Sequence, residues 1–194
     1  MSGLLRRLRA AAPNFQDDLE ALLHWELAED GAVRGRVREI IAEVRAKGDD
    51  ALLTYTARFD GVEAKSIAEL EVPQEALQDA FEALPEAERS ALKLARDRIA
   101  AYHERQRRDE WRYKDEFGNL LGQLIRPLDR VGLYVPGGQA AYPSSVLMTA
   151  VPAKVAGVRE VIMTVPTPGG VLNRLVLAAA HLAGVHRVYR VGGA

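Results

Sequence analysis

The sequence contains no cysteine, which excludes disulfide bonds and thiolate metal ligands within the chain and fits a reducing compartment. No apolar run approaches the roughly 20 residues that a transmembrane helix needs. The first residues include arginines but no apolar stretch after them, so we predict neither a membrane span nor a signal peptide. The net charge is only −1, which favours neither nucleic acid nor a membrane as a partner. Together these absences predict a soluble cytoplasmic protein.

Charged residues are unevenly distributed along the 194 residues, of which 48% are hydrophobic. Residues 1–130 contain all but one of the acids and carry a net charge of −5, whereas residues 131–194 contain five basic residues and one acid. A segment that loses its charges and is rich in valine, alanine and glycine is typical of chain that is buried on several sides. We therefore predict a domain boundary near Arg130, with an N-terminal region over 1–130 and a second domain over 131–194.

The region before this boundary has the periodicity of helices with a few short strands. Apolar residues recur at helical spacing from Val33 to Val44, and Gly48 is suited to end that helix. Pro73 and Pro85 each suit the first turn of a further helix. The predicted elements are helices over 33–47 and 51–59, a strand over 68–72, helices over 74–84 and 86–107, and a hairpin from 111–116 and 120–128 with its turn at Gly118-Asn119. The inward residues expected in the last of these helices are Leu92, Ala95, Ile99 and Tyr102.

Beyond residue 130 the pattern changes to strands that alternate with helices. Short valine-rich runs predict three strands, with a helix after the first and a second helix that ends at Gly184; the strands are expected over 131–135, 160–165 and 187–191, and the helices over 145–156 and 171–184. Connections of this length are typical of parallel strands joined by crossover helices. Pro152 fits the first helix poorly and predicts a kink or a shifted helix start. The predicted fold class is α/β, a helical or α+β N-terminal region followed by a Rossmann-like βαβαβ half.

The strand over 131–135 stops at Pro136-Gly137-Gly138, and a strand that ends at glycines before a helix is a common ligand-binding arrangement in α/β folds. The loop is not the GxGxxG fingerprint, so a ligand loop and a plain structural turn remain open alternatives. Tyr134 at the strand end either lines such a crevice or packs as an ordinary aromatic residue. Ser144 or Ser145 is predicted to cap the following helix rather than to act as a nucleophile, because no GxSxG elbow surrounds it.

No catalytic or metal-binding constellation is visible in the residue types and their spacing. The four histidines lack the i, i+3 or i+4 spacing of metal ligands on a helix, and we predict that none of them is a ligand. They are His24, His103, His181 and His186. Arginines interleaved with Trp111 and Tyr113 suggest a nucleic-acid surface, but neighbouring acids dilute their charge and favour a solvated helix end. These arginines are Arg105, Arg107, Arg108 and Arg112.

Five ungapped segments indicate a protein family more specifically than the periodicity of apolar residues indicates a fold. They are VREIIAEVRAKGDDALLTYTARFDGV at 37–62, YHERQRRDEW at 102–111, FGNLLGQLIRPLDRVGLYVPGG at 117–138, AAYPSSVLMTAVPAKVAGVREVIMTVPTPGG at 140–170 and AAHLAGVHRVYRVGGA at 179–194. In this order they resemble the histidinol dehydrogenase family, whose enzymes use NAD and zinc to complete histidine biosynthesis.

The resemblance implies an aldehyde-dehydrogenase-like fold of two incomplete Rossmann-like domains, the second of which begins near the GLYVPGG strand. It implies a homodimeric oxidoreductase that depends on NAD and zinc and converts L-histidinol to L-histidine in two oxidation steps. The tyrosine of GLYVPGG contacts NAD in the family, and in this chain that residue is Tyr134. The family's zinc ligands, catalytic Glu-His pair and substrate-binding residues lie in later segments, so the resemblance assigns no catalytic or metal-binding residue here.

On the same resemblance the chain is an N-terminal portion of the enzyme. We expect it to be inactive alone, because alcohol oxidation needs a base and, in this family, fixed zinc ligands. The alternatives are a family relative that oxidises another polyol or amino alcohol, and a non-catalytic module for nucleotide binding or dimerisation. Because the third predicted strand ends the chain, we also expect the sheet to have an unpaired edge and exposed apolar surface.

Overall fold

The computed structural model describes residues 7–23, 27–137 and 142–192 and shows a mixed α/β protein. The chain divides into two compact units, residues 1–48 and 49–194. The first unit contains α1 (Phe15–Leu23) and α2 (Leu27–Lys47). The helix predicted over 33–47 is confirmed within α2. It ends where Gly48 adopts a φ of +59° and donates its N–H to the Val44 carbonyl at 2.8 Å.

The second unit contains the remaining helices and strands of the described residues. In chain order these are α3 (Asp49–Asp60), β1 (Glu71–Val72), α4 (Gln74–Glu82), α5 (Glu86–Glu104), β2 (Trp111–Lys114), β3 (Leu120–Gln123), β4 (Arg130–Tyr134), α6 (Pro143–Val155), β5 (Glu160–Thr164), α7 (Arg174–Ala183) and β6 (Arg187–Tyr189). The strand predicted over 68–72 is shorter than expected, because a 3-10 helix occupies Ile67–Leu70. In the part of the chain that is described, no helix combines the length and apolarity needed to cross a membrane.

A four-stranded sheet with the order β1-β6-β5-β4 organises the second unit. The strands β4, β5 and β6 run parallel, which confirms the pairing predicted from the alternation of strands and helices. The strand β1 pairs antiparallel with β6, where Glu71 faces Tyr189 and Val72 faces Val188. The third strand of the βαβαβ segment is therefore paired on both sides, and among the described strands the edges of this sheet are β1 and β4 instead. Pairing with β1 is a long-range contact that local periodicity does not indicate.

The hydrophobic core of this unit lies between β5, α7 and the helices beside them. Val161 and Met163 alternate inwards along β5 and are fully buried. The helix α7 is apolar around most of its circumference, and its small alanine side chains let α4 and α6 pack against it. Leu77 of α4 and Leu147 of α6 belong to the same cluster. Helices from both sides of Arg130 thus share one core.

Two side-chain predictions in the helices are wrong. Tyr102 is 65% exposed, because it lies beyond the part of α5 that contacts the core cluster. Neither Ser144 nor Ser145 caps α6, since the cap position is Tyr142 and the helix already begins at Pro143. Pro152 lies inside α6, which begins two residues before the predicted start and continues to Val155.

The strands β2 and β3 form the predicted hairpin. At its turn the carboxylate of Asp115 accepts hydrogen bonds from the backbone N–H groups of Phe117 at 2.9 Å and Asn119 at 2.8 Å. The pKa of the Asp115 carboxyl lies below its ordinary value because the Asn119 side chain and these N–H groups stabilise the charged form. Gly118 supplies the positive φ of +82° that the turn requires.

Asn173 determines where α7 begins. Its side-chain oxygen accepts hydrogen bonds from the N–H groups of Leu175 at 3.0 Å and Val176 at 3.2 Å, so the helix starts at Arg174 and not at residue 171 as predicted. We expect Asn173→Ala to lower the free energy of unfolding by about 1 kcal/mol, measured by urea unfolding followed with circular dichroism. Asn173→Asp keeps an acceptor and serves as the control. An equal loss in both variants would contradict the role of the cap.

Candidate functional site

A crevice of about 350 Å³ lies at the carboxyl ends of the three parallel strands. Tyr134, Thr164 and Tyr189 are the last residues of β4, β5 and β6, and they form one row because Tyr134 pairs with Thr164 and Thr164 pairs with Tyr189. The rest of the lining consists of Leu52, Ile67, Val191 and Gly192. Open α/β sheets bind ligands at the carboxyl ends of their strands, so this crevice is the candidate site.

The resemblance predicts a cofactor contact for Tyr134, and the structure places this residue in the lining of the crevice. Its side chain is 57% exposed. A tyrosine with this exposure contributes little to the core, so packing does not explain its position at the end of β4. Its ring is instead accessible to a molecule that enters the crevice.

Two glycines allow the loops around the crevice to approach one another. A Cβ at Gly137 would collide with the carbonyl oxygen of Pro166, and a Cβ at Gly192 would collide with the ring of the same proline. Gly137 follows β4, Pro166 follows β5 and Gly192 follows β6. The loops after all three parallel strands therefore converge on Pro166. Gly137 therefore serves close packing of the strand-end loops. Its neighbour Gly138 lies outside the described residues.

An ion pair between Arg187 and Glu71 lies next to the crevice. Arg187 donates hydrogen bonds of 2.9 and 2.7 Å to the carboxylate of Glu71, and its guanidinium carbon lies 5.1 Å from the centroid of the Tyr189 ring. These bonds hold the pKa of Glu71 below its ordinary value and raise the pKa of Arg187. Burial and the nearby Glu71 carboxylate raise the pKa of the Tyr189 phenol, which is therefore neutral at pH 7. The lining itself contains no formal charge.

Sequence reasoning singled out Tyr134 and missed the other lining residues. Thr164 and Tyr189 are each close to the end of a predicted strand, so their position at the carboxyl edge was a usable signal. Leu52 and Ile67 come from α3 and from the 3-10 helix before β1. Their approach to the sheet is a tertiary contact, and no local pattern indicates it.

The described histidines contact other protein groups and not one another. Their contacts are His186 Nδ1 with the N–H of Val161 at 2.9 Å, His103 with Gln106 at 2.6 Å, and His181 with the ring of Phe81 at 5.5 Å. His24 lies outside the described residues. Within the described ranges, no three histidine, cysteine, aspartate or glutamate side chains are grouped as a metal ion requires. These residues therefore do not fit a zinc site.

A larger cleft of about 620 Å³ lies beside the final turns of α5 and α6. Its lining includes Arg107, Arg108 and Arg126. The carbonyl ends of helices carry partial negative charge, which arginines at this position compensate, and Arg107 also pairs with Glu104 at 3.4 Å. The arginines after α5 are exposed, as predicted for a solvated helix end. Since the helix ends account for these arginines, the cleft is not the candidate site.

Known proteins resemble almost the entire chain. The family described as histidinol dehydrogenase matches residues 25–194. The histidinol dehydrogenase of Pseudomonas aeruginosa is 54% identical over 190 residues, which is 98% of this chain and 43% of that protein. The histidinol dehydrogenase of Pseudomonas putida is 55% identical over 194 residues, or 100% of this chain and 44% of that protein.

A solved structure agrees with these matches. The crystal structure of histidinol dehydrogenase from Elizabethkingia anophelis superposes with a TM-score of 0.73 at 26% identity and covers 82% of this chain and 36% of that chain. The chain spans less than half the length of the curated relatives that it matches. The resemblance seen in the sequence is thus confirmed by a family match over most of the chain, by identities above 50% and by the fold. The chain belongs to the histidinol dehydrogenase family.

Proposed function

We propose that this chain supplies the NAD-binding crevice of an enzyme that oxidises L-histidinol to L-histidine. The observation that carries the proposal is the row of Tyr134, Thr164 and Tyr189 at the carboxyl edge of three parallel strands, in a chain of this family. The resemblance gives Tyr134 the NAD contact, and the exposure of its ring at the crevice supports that role. The close packing at Gly137 and Gly192 keeps the surrounding loops in a defined arrangement.

The wider architecture is part of the same proposal. The segment from Arg130 onwards forms a Rossmann-like half of an aldehyde-dehydrogenase-like fold, and the predicted domain boundary near Arg130 belongs to that arrangement. Parallel pairing of β4, β5 and β6 supports this description. We further propose that the enzyme is a cytoplasmic homodimer, as the family resemblance implies.

Zinc belongs to the proposed enzyme, in which it would polarise the alcohol of the substrate. Among the described residues, no three histidine, cysteine, aspartate or glutamate side chains lie close enough together to hold a metal ion, so these residues do not fit zinc. We propose that the zinc ligands, the base and the substrate-binding residues belong to parts of the enzyme outside the described residues. In this proposal the described residues contribute nucleotide binding.

A non-catalytic nucleotide-binding module is the second candidate function. It is favoured by a specific observation, namely that the described part of the chain has a crevice lined by two tyrosines, Tyr134 and Tyr189. Both functions require that the crevice binds a nucleotide. Titration of the chain with NAD therefore tests the step that they share.

We expect Tyr134→Leu to weaken NAD binding by about tenfold, because stacking of a base on an aromatic ring contributes roughly 1–3 kcal/mol. Isothermal titration calorimetry of the chain with NAD measures the change in Kd. Tyr102→Leu is the matched control, since Tyr102 is a similarly exposed tyrosine on α5 away from the crevice lining.

Two results would contradict the proposal. The first is the absence of NAD binding by the unaltered chain. The second is an equal loss of affinity in Tyr134→Leu and Tyr102→Leu, which would show that the effect does not depend on the crevice.

A further inference from the structure

The crevice has an aromatic side chain on each side of a small central residue. In the row at the carboxyl edge, Thr164 separates Tyr134 from Tyr189. Residues in register on neighbouring strands project to the same face of a sheet, so both rings belong to the same face. Adjacent strands lie about 4.8 Å apart, which places the two tyrosine backbones about 10 Å from each other.

This spacing suits one planar ring between the two tyrosines. Stacked aromatic rings have centroids about 4.5–7 Å apart, and two such gaps match a separation of about 10 Å. The volume of about 350 Å³ is near the lower end of the range for small-molecule sites, roughly 300–1,000 Å³. The crevice therefore holds one ring system and not a whole dinucleotide.

The chemistry of the lining selects an uncharged ring. Leu52, Ile67 and Val191 are apolar, and the lining contains no basic residue that would attract a phosphate. Two arginines flank Tyr189 in the chain: Arg187 is engaged by the Glu71 carboxylate through two hydrogen bonds, and the Arg190 guanidinium donates to the Glu69 carbonyl oxygen at 2.8 Å. Of the parts of a dinucleotide, the purine is a neutral planar ring system, and the phosphates do not match this surface.

Tyr189 is held in position by residues outside the crevice. The guanidinium of Arg187 lies against its ring at 5.1 Å, and Glu71 of β1, which faces Tyr189 across the strand pair, binds that guanidinium. Arg187 and Tyr189 are two residues apart on β6 and share a face of the sheet. The ion pair between β1 and β6 thereby restrains the tyrosine ring at the end of the row.

We infer that Tyr189 is a second nucleotide-contacting residue, that the purine ring of the nucleotide binds between Tyr134 and Tyr189, and that Glu71 and Arg187 are positioning residues for Tyr189. This inference rests on the proposed function and specifies which part of the nucleotide the crevice receives. The inference also assigns a role to β1. Its residue Glu71 comes from the chain before Arg130 and acts on the ligand only through Arg187 and Tyr189.

Saturation-transfer NMR on the chain with NAD, AMP and nicotinamide mononucleotide tests the inference. We expect the purine protons of NAD and AMP to receive the strongest saturation, and nicotinamide mononucleotide to compete weakly. Tyr189→Leu weakens AMP and NAD binding by about tenfold, whereas Tyr189→Phe, which keeps the ring, restores most of the affinity. Circular dichroism establishes that each variant is folded.

The variant Glu71→Gln tests whether Glu71 positions the Tyr189 ring or only stabilises the fold. We expect a several-fold loss of AMP affinity, because Arg187 is no longer held against the Tyr189 ring. Glu86→Gln is the control: it breaks the Arg89–Glu86 pair of 2.7 Å on α5, and neither residue belongs to the crevice lining. Equal affinity losses in these two variants would overturn the positioning role.

The outcomes distinguish this inference from the proposed function. If NAD binds and Tyr134→Leu weakens it but Tyr189→Leu does not, the second contact is wrong and the NAD crevice stands. Stronger saturation of the nicotinamide protons than of the purine protons would overturn the assignment of the ring. Failure of the unaltered chain to bind either NAD or AMP would overturn both conclusions.

Discussion

Replacing Met163 with alanine is expected to lower the free energy of unfolding by roughly 2–5 kcal/mol, the usual range for removing a large apolar side chain from a core. Met163 is in β5, between the neighbouring strands β4 and β6, and none of it is exposed. The packed helices around it cannot collapse fully into the space that the side chain leaves. Urea unfolding followed by circular dichroism measures the loss.

The chain contains a matched control for this substitution. Met148 is on α6 and is 63% exposed, so Met148→Ala removes the same atoms from the surface and should change stability by less than about 0.5 kcal/mol. A similar loss of stability in both methionine variants would contradict the packing of the Met163 side chain in the core.

The second large effect is expected from Gly137→Ala. The added methyl group would collide with the carbonyl oxygen of Pro166, a backbone atom that cannot rotate away. Overpacking of this kind costs roughly 1–3 kcal/mol. Because the collision separates the loops after β4 and β5, we also expect NAD binding to be lost. Urea unfolding and calorimetric titration with NAD measure the two effects.

Gly132→Ala is the control for this glycine. Gly132 lies earlier in β4, and a Cβ built there meets no atom within 4 Å. Alanine at this position should leave stability within about 0.5 kcal/mol of the unaltered chain and should leave NAD binding unchanged. If Gly137→Ala were as stable and as competent in binding as Gly132→Ala, the convergence of the loops on Pro166 would be wrong.

Most helices and strands could be predicted because their signals are local. Gly48 and Gly184 end α2 and α7 with positive φ values of +59° and +70°, and Gly118 occupies the hairpin turn. Such residues act on their own backbone, so their effect is visible in the sequence. Predictions were less accurate where two local signals competed. At α6 a serine cap and a proline at the first helical position were both available, and Pro143 begins the helix.

The candidate site could be predicted only in part. The end of β4 marked Tyr134, because the strand, the glycines and the family segment coincide there. Nothing in the sequence near Tyr189 indicates that Arg187 lies against its ring or that Glu71, more than 100 residues earlier, binds that arginine. The contact requires β1 to pair with β6 in one particular register, with Glu71 opposite Tyr189.

The sequence by itself determined the family, the order of the elements and the parallel strands from Val131 onwards, because side-chain periodicity, glycine and proline act over a few residues. The tertiary structure alone decided that β1 covers β6, that α4 and α5 join the core of the later helices, and that Leu52 and Ile67 reach the crevice. These contacts join residues far apart in the chain. They are determined by how buried surfaces fit together in space, which no short stretch of sequence specifies.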